Sequence, residues 1–138
     1  MQIKKVYSPG QTFGGALLGG PVAATYFIYR NFQALDDMIN AKKALLIGCA
    51  SLVVLFCATI FLVDVDLGIL IPLAYSFGAS HIVSSFQFDK EKIKQSDSFD
   101  FVSEWQVIGI TIISFIIVLA IFVGGITLLD TAGLLPPA

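Results

Sequence analysis

Charge is scarce in this sequence. Eight Lys or Arg and ten Asp or Glu make 13% of 138 residues, against roughly a quarter in an ordinary soluble domain. With a net charge of −2 the chain has no polybasic surface for nucleic acid and no acidic tail. It has one histidine, His81, and two cysteines, Cys49 and Cys57, too few ligands for a tetrahedral zinc set. The cysteines are eight residues apart, about 12 Å along a helix and beyond the ~7 Å Cα limit of a disulfide, so they read as small packing residues. Neither Gly14-Gly15 nor Gly19-Gly20 is followed by the lysine of a phosphate-binding loop. No metal, nucleotide or other cofactor is implied.

Long apolar runs, by contrast, are abundant. Hydrophobic residues make up 57% of the chain, and the mean hydropathy is +0.87. Residues 6–29, 44–63, 67–88 and 105–129 carry no Lys, Arg, Asp or Glu. About 20 helical residues cross a hydrocarbon layer of roughly 30 Å, so each run is long enough to span. A chain of this length cannot bury four such runs and keep a wettable surface, whereas lipid solvates their outer faces. The expected fold is an all-α integral membrane protein, residues 1–138 forming one polytopic domain. Its four transmembrane helices fall at about 9–30, 44–63, 67–88 and 104–129.

The first helix has a clear start: Ser8 as N-cap, Pro9 at the first helical position, and Gln11 reaching back as in a capping box. Gly10, Gly14, Gly15, Gly19 and Gly20, including two Gly-x-x-x-Gly spacings, would let another backbone approach closely. That places this helix at the packed centre. Pro21 removes a hydrogen bond and crowds the carbonyl of Leu17, which predicts a kink or break at 17–21. Tyr7 at one end and Tyr26 and Tyr29 at the other read as interfacial anchors, as does Trp105 before the fourth span. Phe32, Leu35 and Ile39 recur at helical spacing in a polar stretch expected to lie along the interface. Asp64-Val65-Asp66 leaves only a tight hairpin between the second and third spans. Ser103 and Gln106 form a second capping pair.

Four crossings put loops 31–43 and 89–104 on one side, with Arg30, Lys42, Lys43, Lys90, Lys92 and Lys94, against Lys4 and Lys5 opposite. The loops are then cytoplasmic and both termini outside. The rival is a re-entrant first segment, which would gather all eight basic residues inside, its N-terminus included. Lys4 and Lys5 before an apolar run also have the outline of a signal peptide, but Ser8, Pro9, Gln11 and Thr12 interrupt its core.

Chemistry has few places to reside. His81 is the one ionisable side chain deep in a charge-free run, and Ser76, Ser80, Ser84 and Gln87 share a face beside it. That stripe reads either as a polar path or as interhelical hydrogen-bonding glue. Ser80 and His81 project about 100° apart on a helix and cannot make a nucleophile–base pair. No Asp or Glu lies within a span to serve a cation. Asp64, Asp66 and Asp130 belong to solvated ends, and residues 89–104 mix both signs rather than forming an anionic-lipid clamp.

In size and span number the chain resembles the small multi-span immunity proteins that protect bacterial inner membranes from pore-forming toxins; the likeness is architectural and rests on no residue motif. The expected role is that of a non-enzymatic inner-membrane accessory, assembly or immunity partner acting through helix–helix contacts. Its partners would be the lipid bilayer and another membrane protein or a second copy. The alternative is a subunit of an oligomeric channel or transporter using the stripe around His81.

Overall fold

The structure, a computed structural model, describes residues 2–61 and 68–135. It is mostly helical, in the order β1 (Lys4–Val6), α1 (Pro9–Ala34), α2 (Met38–Phe61), α3 (Leu70–Ile82), a π-helical turn (Val83–Gln87), α4 (Lys90–Lys94), β2 (Phe99–Phe101) and α5 (Glu104–Thr131). Two helices, α2 and α5, are long and apolar enough to cross a membrane. The Asp64-Val65-Asp66 turn and the Pro136-Pro137 tail lie outside the described residues.

The capping box at the start of α1 is present in both halves. Ser8 Oγ accepts from the Gln11 N–H at 3.2 Å, and Gln11 Oε1 accepts from the Ser8 N–H at 3.1 Å. Helical geometry then fails once, at Gly20, whose φ of 74° and ψ of −166° lie in a region essentially reserved for glycine. Pro21 follows and restarts the helix, so α1 consists of an N-terminal limb, 9–19, and a C-terminal limb, 21–34. Thr25 Oγ1 donates to the Pro21 carbonyl at 2.7 Å, tying down the first turn of the second limb.

The break reverses the chain. In a straight helix Tyr7 and Asn31 would be about 36 Å apart at ~1.5 Å per residue, yet here they are hydrogen-bonded through both backbone groups of Tyr7. Gly15 faces the ring of Phe27 so closely that a Cβ would overlap it, and a Cβ on Gly19 would sit 2.7 Å from that of Ala23. The two limbs are therefore packed side by side. This corrects the expectation of a first helix running end to end over 9–30: it is broken near Pro21 as expected, but into a hairpin. It also corrects the placing of aromatic anchors at opposite ends. Tyr7 is 3% exposed, with its ring centroid 4.4 Å from that of Phe27 and 6.3 Å from that of Tyr26.

The hairpin is the hub of the fold and packs against α2, α3 and α5. Glycines on both sides permit this: Gly19 lies against the backbone of Thr111 on α5, where a Cβ would be 3.0 Å from the carbonyl oxygen, and Gly48 on α2 lies against Thr25. The tip, Gly20, faces Val118, near the middle of α5. Beyond the tip α2 and α5 meet directly, Phe56 edge-on to Phe122 at 5.4 Å.

Next to the hairpin's open end lies a small polar cap. Strands β1 and β2 pair in parallel, Lys5 opposite Asp100, and their side chains form an ion pair. Lys4 Nζ donates to the Ala34 carbonyl at 2.9 Å and to Asp36 at 2.6 Å, fastening the strand to the far end of α1. Val6, Phe88 and Ile93 form the cap's own apolar core. Residues 31–43 are not a separate surface helix; they are divided between the end of α1, a turn with Asp36 at φ 59°, and the start of α2. The third apolar segment is α-helical only to Ile82 and then widens into the π turn, at the end of which Gln87 Nε2 donates to the Ile28 carbonyl at 2.9 Å.

Candidate functional site

The polar stripe is dispersed. Ser76 is fully buried and, among the described residues, its hydroxyl has no hydrogen-bond partner. Ser80, Ser84 and Gln87 are half-buried, and Gln87 is committed to α1. His81 points outward from the bundle, 3.4 Å from the Ser85 hydroxyl. Ser80, His81 and Ser84 line neither of the two grooves described below. Among the described residues no three His, Cys, Asp or Glu side chains are grouped as a metal site would need.

The glycines of α1 divide into two sets. Gly15, Gly19 and Gly20 are used inside the fold, against Phe27, Ala23, Thr111 and Val118. Gly10 and Gly14 face the other way, and a Cβ on Gly14 would meet nothing among the described residues within 4 Å. One turn on, Leu18 is 68% exposed. These three positions flank a groove of about 760 Å³ between the N-terminal limb of α1 and α5, completed by Val107, Ile108, Ile112 and Phe115. Ser8, Gln11, Lys90 and Glu104 give it one polar end, where Gln11 Nε2 bridges the Val102 carbonyl and Glu104, each at 2.8 Å. Thr111 reaches its floor with a buried hydroxyl 3.2 Å from where a Gly15 Cβ would stand. Among the described residues that hydroxyl has no hydrogen-bond partner.

A second groove, of about 660 Å³, lies between the C-terminal limb of α1, α2 and α3. Ile28, Phe32, Ala44, Ile47, Ile82 and Phe86 make its apolar walls, with Pro21, Thr25 and Tyr75 at one end and Asp37, Asn40 and Lys43 at the other. Asp37 accepts from both the backbone N–H and the side-chain amide of Asn40, at 3.1 and 2.7 Å. These bonds hold its carboxyl below the usual carboxylate range. Gly78 lines this groove, and a Cβ there would also meet nothing among the described residues within 4 Å.

Of the expected packing residues, Gly15 and Gly19 are packed between the limbs and against α5, Gly20 faces α5, Pro21 is buried at one end of the second groove, and Gly10 and Gly14 belong to an open surface. Among the expected anchors, Trp105 is 83% exposed, and Tyr29 is half-buried with its hydroxyl accepting from Gln33. Asn31, Thr25 and Gly78 were missed from sequence. Asn31 and Thr25 act through contacts that only the fold brings about, Gly78 through the groove it lines, and only Thr25, four residues after Pro21, carried a local signal. The chain matches no known family model, no curated protein and no solved structure.

Proposed function

We propose that this chain is a non-enzymatic integral membrane protein of the plasma membrane that works by docking a transmembrane helix of a partner protein, in an accessory, assembly or immunity-type role. Lipid is the medium that suits its surface. None of the apolar window of α2 is buried within the fold, and only 17% of that of α5. Leu46, Val54, Phe61, Ile113 and Ile116 are each more than half exposed, a surface that water would penalise at roughly 25 cal/mol per Å².

The membrane arrangement that fits the hairpin has three crossings, α2, α3 continued by its π turn, and α5, with α1 entering to mid-depth and returning. Broken backbone at that depth is tolerated because it is packed within protein: Gly20 is buried against Val118. All eight Lys and Arg then stand at the capped end: Lys4 and Lys5 in β1, Arg30 late in α1, Lys42 and Lys43 early in α2, and Lys90, Lys92 and Lys94 in α4. That distribution supports a cytoplasmic cap.

The observation that carries the docking role is the unpartnered Gly10/Gly14 face. Glycine four residues from glycine permits close backbone approach by another helix, and nothing in the described chain makes that approach at Gly14. Leu18, Ile108, Ile112 and Phe115 supply apolar contact around it. The conduction alternative has less to stand on, since His81 faces outward and the serines are scattered.

Gly14→Leu is the test, because its side chain enters open space and the fold should survive. Tagged protein recovered from native membranes should lose its co-purifying membrane protein on this substitution and keep it in His81→Ala. A partner retained by folded Gly14→Leu protein would sink the docking role.

A further inference from the structure

The second groove has dimensions and an end-to-end polarity that point to a particular occupant. From Pro21 to Phe32, eleven helical steps cover about 16 Å at ~1.5 Å each, half of the roughly 30 Å hydrocarbon thickness. If the hairpin enters the membrane as proposed above, on which this inference rests, the groove runs from the cytoplasmic surface to the midplane, the depth of one leaflet. Between its two ends its walls are mainly aliphatic and aromatic, formed by Ile28, Phe32, Ala44, Ile47, Ile82 and Phe86. Its volume of about 660 Å³ lies in the range of small-molecule sites.

The surface end is not apolar. Asp37 and Lys43 stand there with opposite charges, and a carboxylate already bonded by Asn40 retains lone pairs for a further donor. Neither residue forms an ion pair among the described residues. An anion alone would satisfy Lys43 and be repelled by Asp37; a zwitterion satisfies both.

We propose that this groove holds one acyl chain of a cytoplasmic-leaflet glycerophospholipid whose headgroup carries an ammonium, which lies at Asp37 while the phosphate lies at Lys43. Gly78 keeps the groove open. No neighbour requires a glycine at this position, and in a helix glycine is less favourable than alanine by about 1 kcal/mol, so its absent side chain leaves space for the chain of the lipid.

The experiment uses the full-length protein in nanodiscs of equal phosphatidylethanolamine and phosphatidylglycerol, released for native mass spectrometry. Wild type should retain one phospholipid, with phosphatidylethanolamine favoured about two- to fivefold, the scale of exposed charge pairs. Gly78→Leu should lower retention of both lipids by roughly tenfold or more, because its side chain takes the apolar space that binding fills. Asp37→Asn with Lys43→Ala should equalise the two lipids and still retain one. Wild type released without lipid, or Gly78→Leu retaining as much as wild type, overturns the proposal while leaving the membrane reading intact. So does a Gly78→Cys cross-link to protein, which would mean that a helix occupies the groove. A chain that does not sediment with carbonate-washed membranes overturns both.

Discussion

Asn31 brackets the peptide of Tyr7, its amide donating to the Tyr7 carbonyl at 2.9 Å and its carbonyl accepting from the Tyr7 N–H at 2.8 Å. Twenty-four residues separate the two in sequence, so this one side chain closes the open end of the α1 hairpin. Asn31 is fully buried, and a side chain that cannot reproduce both bonds strands a donor and an acceptor in a dry site. Asn31→Leu should destabilise the protein by about 2–4 kcal/mol, the sum of two such losses, read as a lowered unfolding midpoint in detergent. Hydrogen exchange at residues 4–7 should accelerate. Unchanged exchange there would mean that the β1–β2 pairing alone holds the N-terminal segment.

Gly20 and Gly14 offer a matched pair of substitutions. At Gly20 the backbone lies at φ 74° and ψ −166°, and a Cβ would also press on Val118 at 3.3 Å. Gly20→Ala should therefore cost about 1–3 kcal/mol from backbone strain. At Gly14 the backbone is helical and the space open, so Gly14→Ala should stabilise by a few tenths to about 1 kcal/mol from helix propensity. Urea titration of both proteins in the same detergent checks the contrast, and equal effects would contradict the reversal at Gly20.

The sequence conveyed the elements better than their arrangement. The charge-free runs 44–63, 67–88 and 105–129 located the greater part of α2, α3 and α5, because an apolar run is legible residue by residue. The start of α1 was legible in Ser8 and Gln11, since a capping box is a contact over three residues. The break was legible in Pro21. Its angle was not: a kink and a full reversal differ in the dihedrals of the single residue Gly20, which glycine leaves open. What fixes the angle is distant, namely Phe27 against Gly15, Asn31 at Tyr7, and Lys4 at Ala34. The three-residue strands were invisible for the same reason, their partners lying 95 positions apart. One signal did favour the reversal, the placing of all eight basic residues at one end by the re-entrant path. The open Gly10/Gly14 face was half legible: the spacing was plain, but only packing separates these glycines from Gly15 and Gly19.

Titration of the cap should affect stability at both ends of the pH scale. The Lys5 ammonium and the Phe101 N–H hold the Asp100 carboxyl below its ordinary range, as Asn40 does for Asp37. A depressed folded-state pKa contributes stability that is present above the unfolded value near 4 and is lost as pH falls through the folded value. Asp100→Asn should flatten the acid limb of a stability–pH curve. Tyr7 behaves oppositely: burial, then the neighbouring Tyr26, raises its pKa from 10.0 to about 12. Its contribution is whole below pH 10 and is lost as pH rises toward 12. Tyr7→Phe should remove that alkaline loss, and an alkaline limb identical to wild type would place the titrating group elsewhere.

Sidedness separates a hairpin from a crossing most directly. In a background with Cys49 and Cys57 replaced by serine, single cysteines at Gln2, Ser96 and Thr131 report three positions: before β1, in the cap, and at the end of α5. A membrane-impermeant maleimide should label Gln2→Cys and Ser96→Cys from the same side and Thr131→Cys from the other. The reason is geometric: β1 pairs in parallel with β2, so whatever side holds residues 99–101 also holds residues 4–6, and α5 departs from that side and continues past the hairpin tip. Inverted vesicles should reverse the pattern. A crossing by α1 would instead place Gln2 with Thr131 and away from Ser96. That outcome would require breaking the Lys5–Asp100 pair, the Asn31 bracket and the Lys4 tether at once.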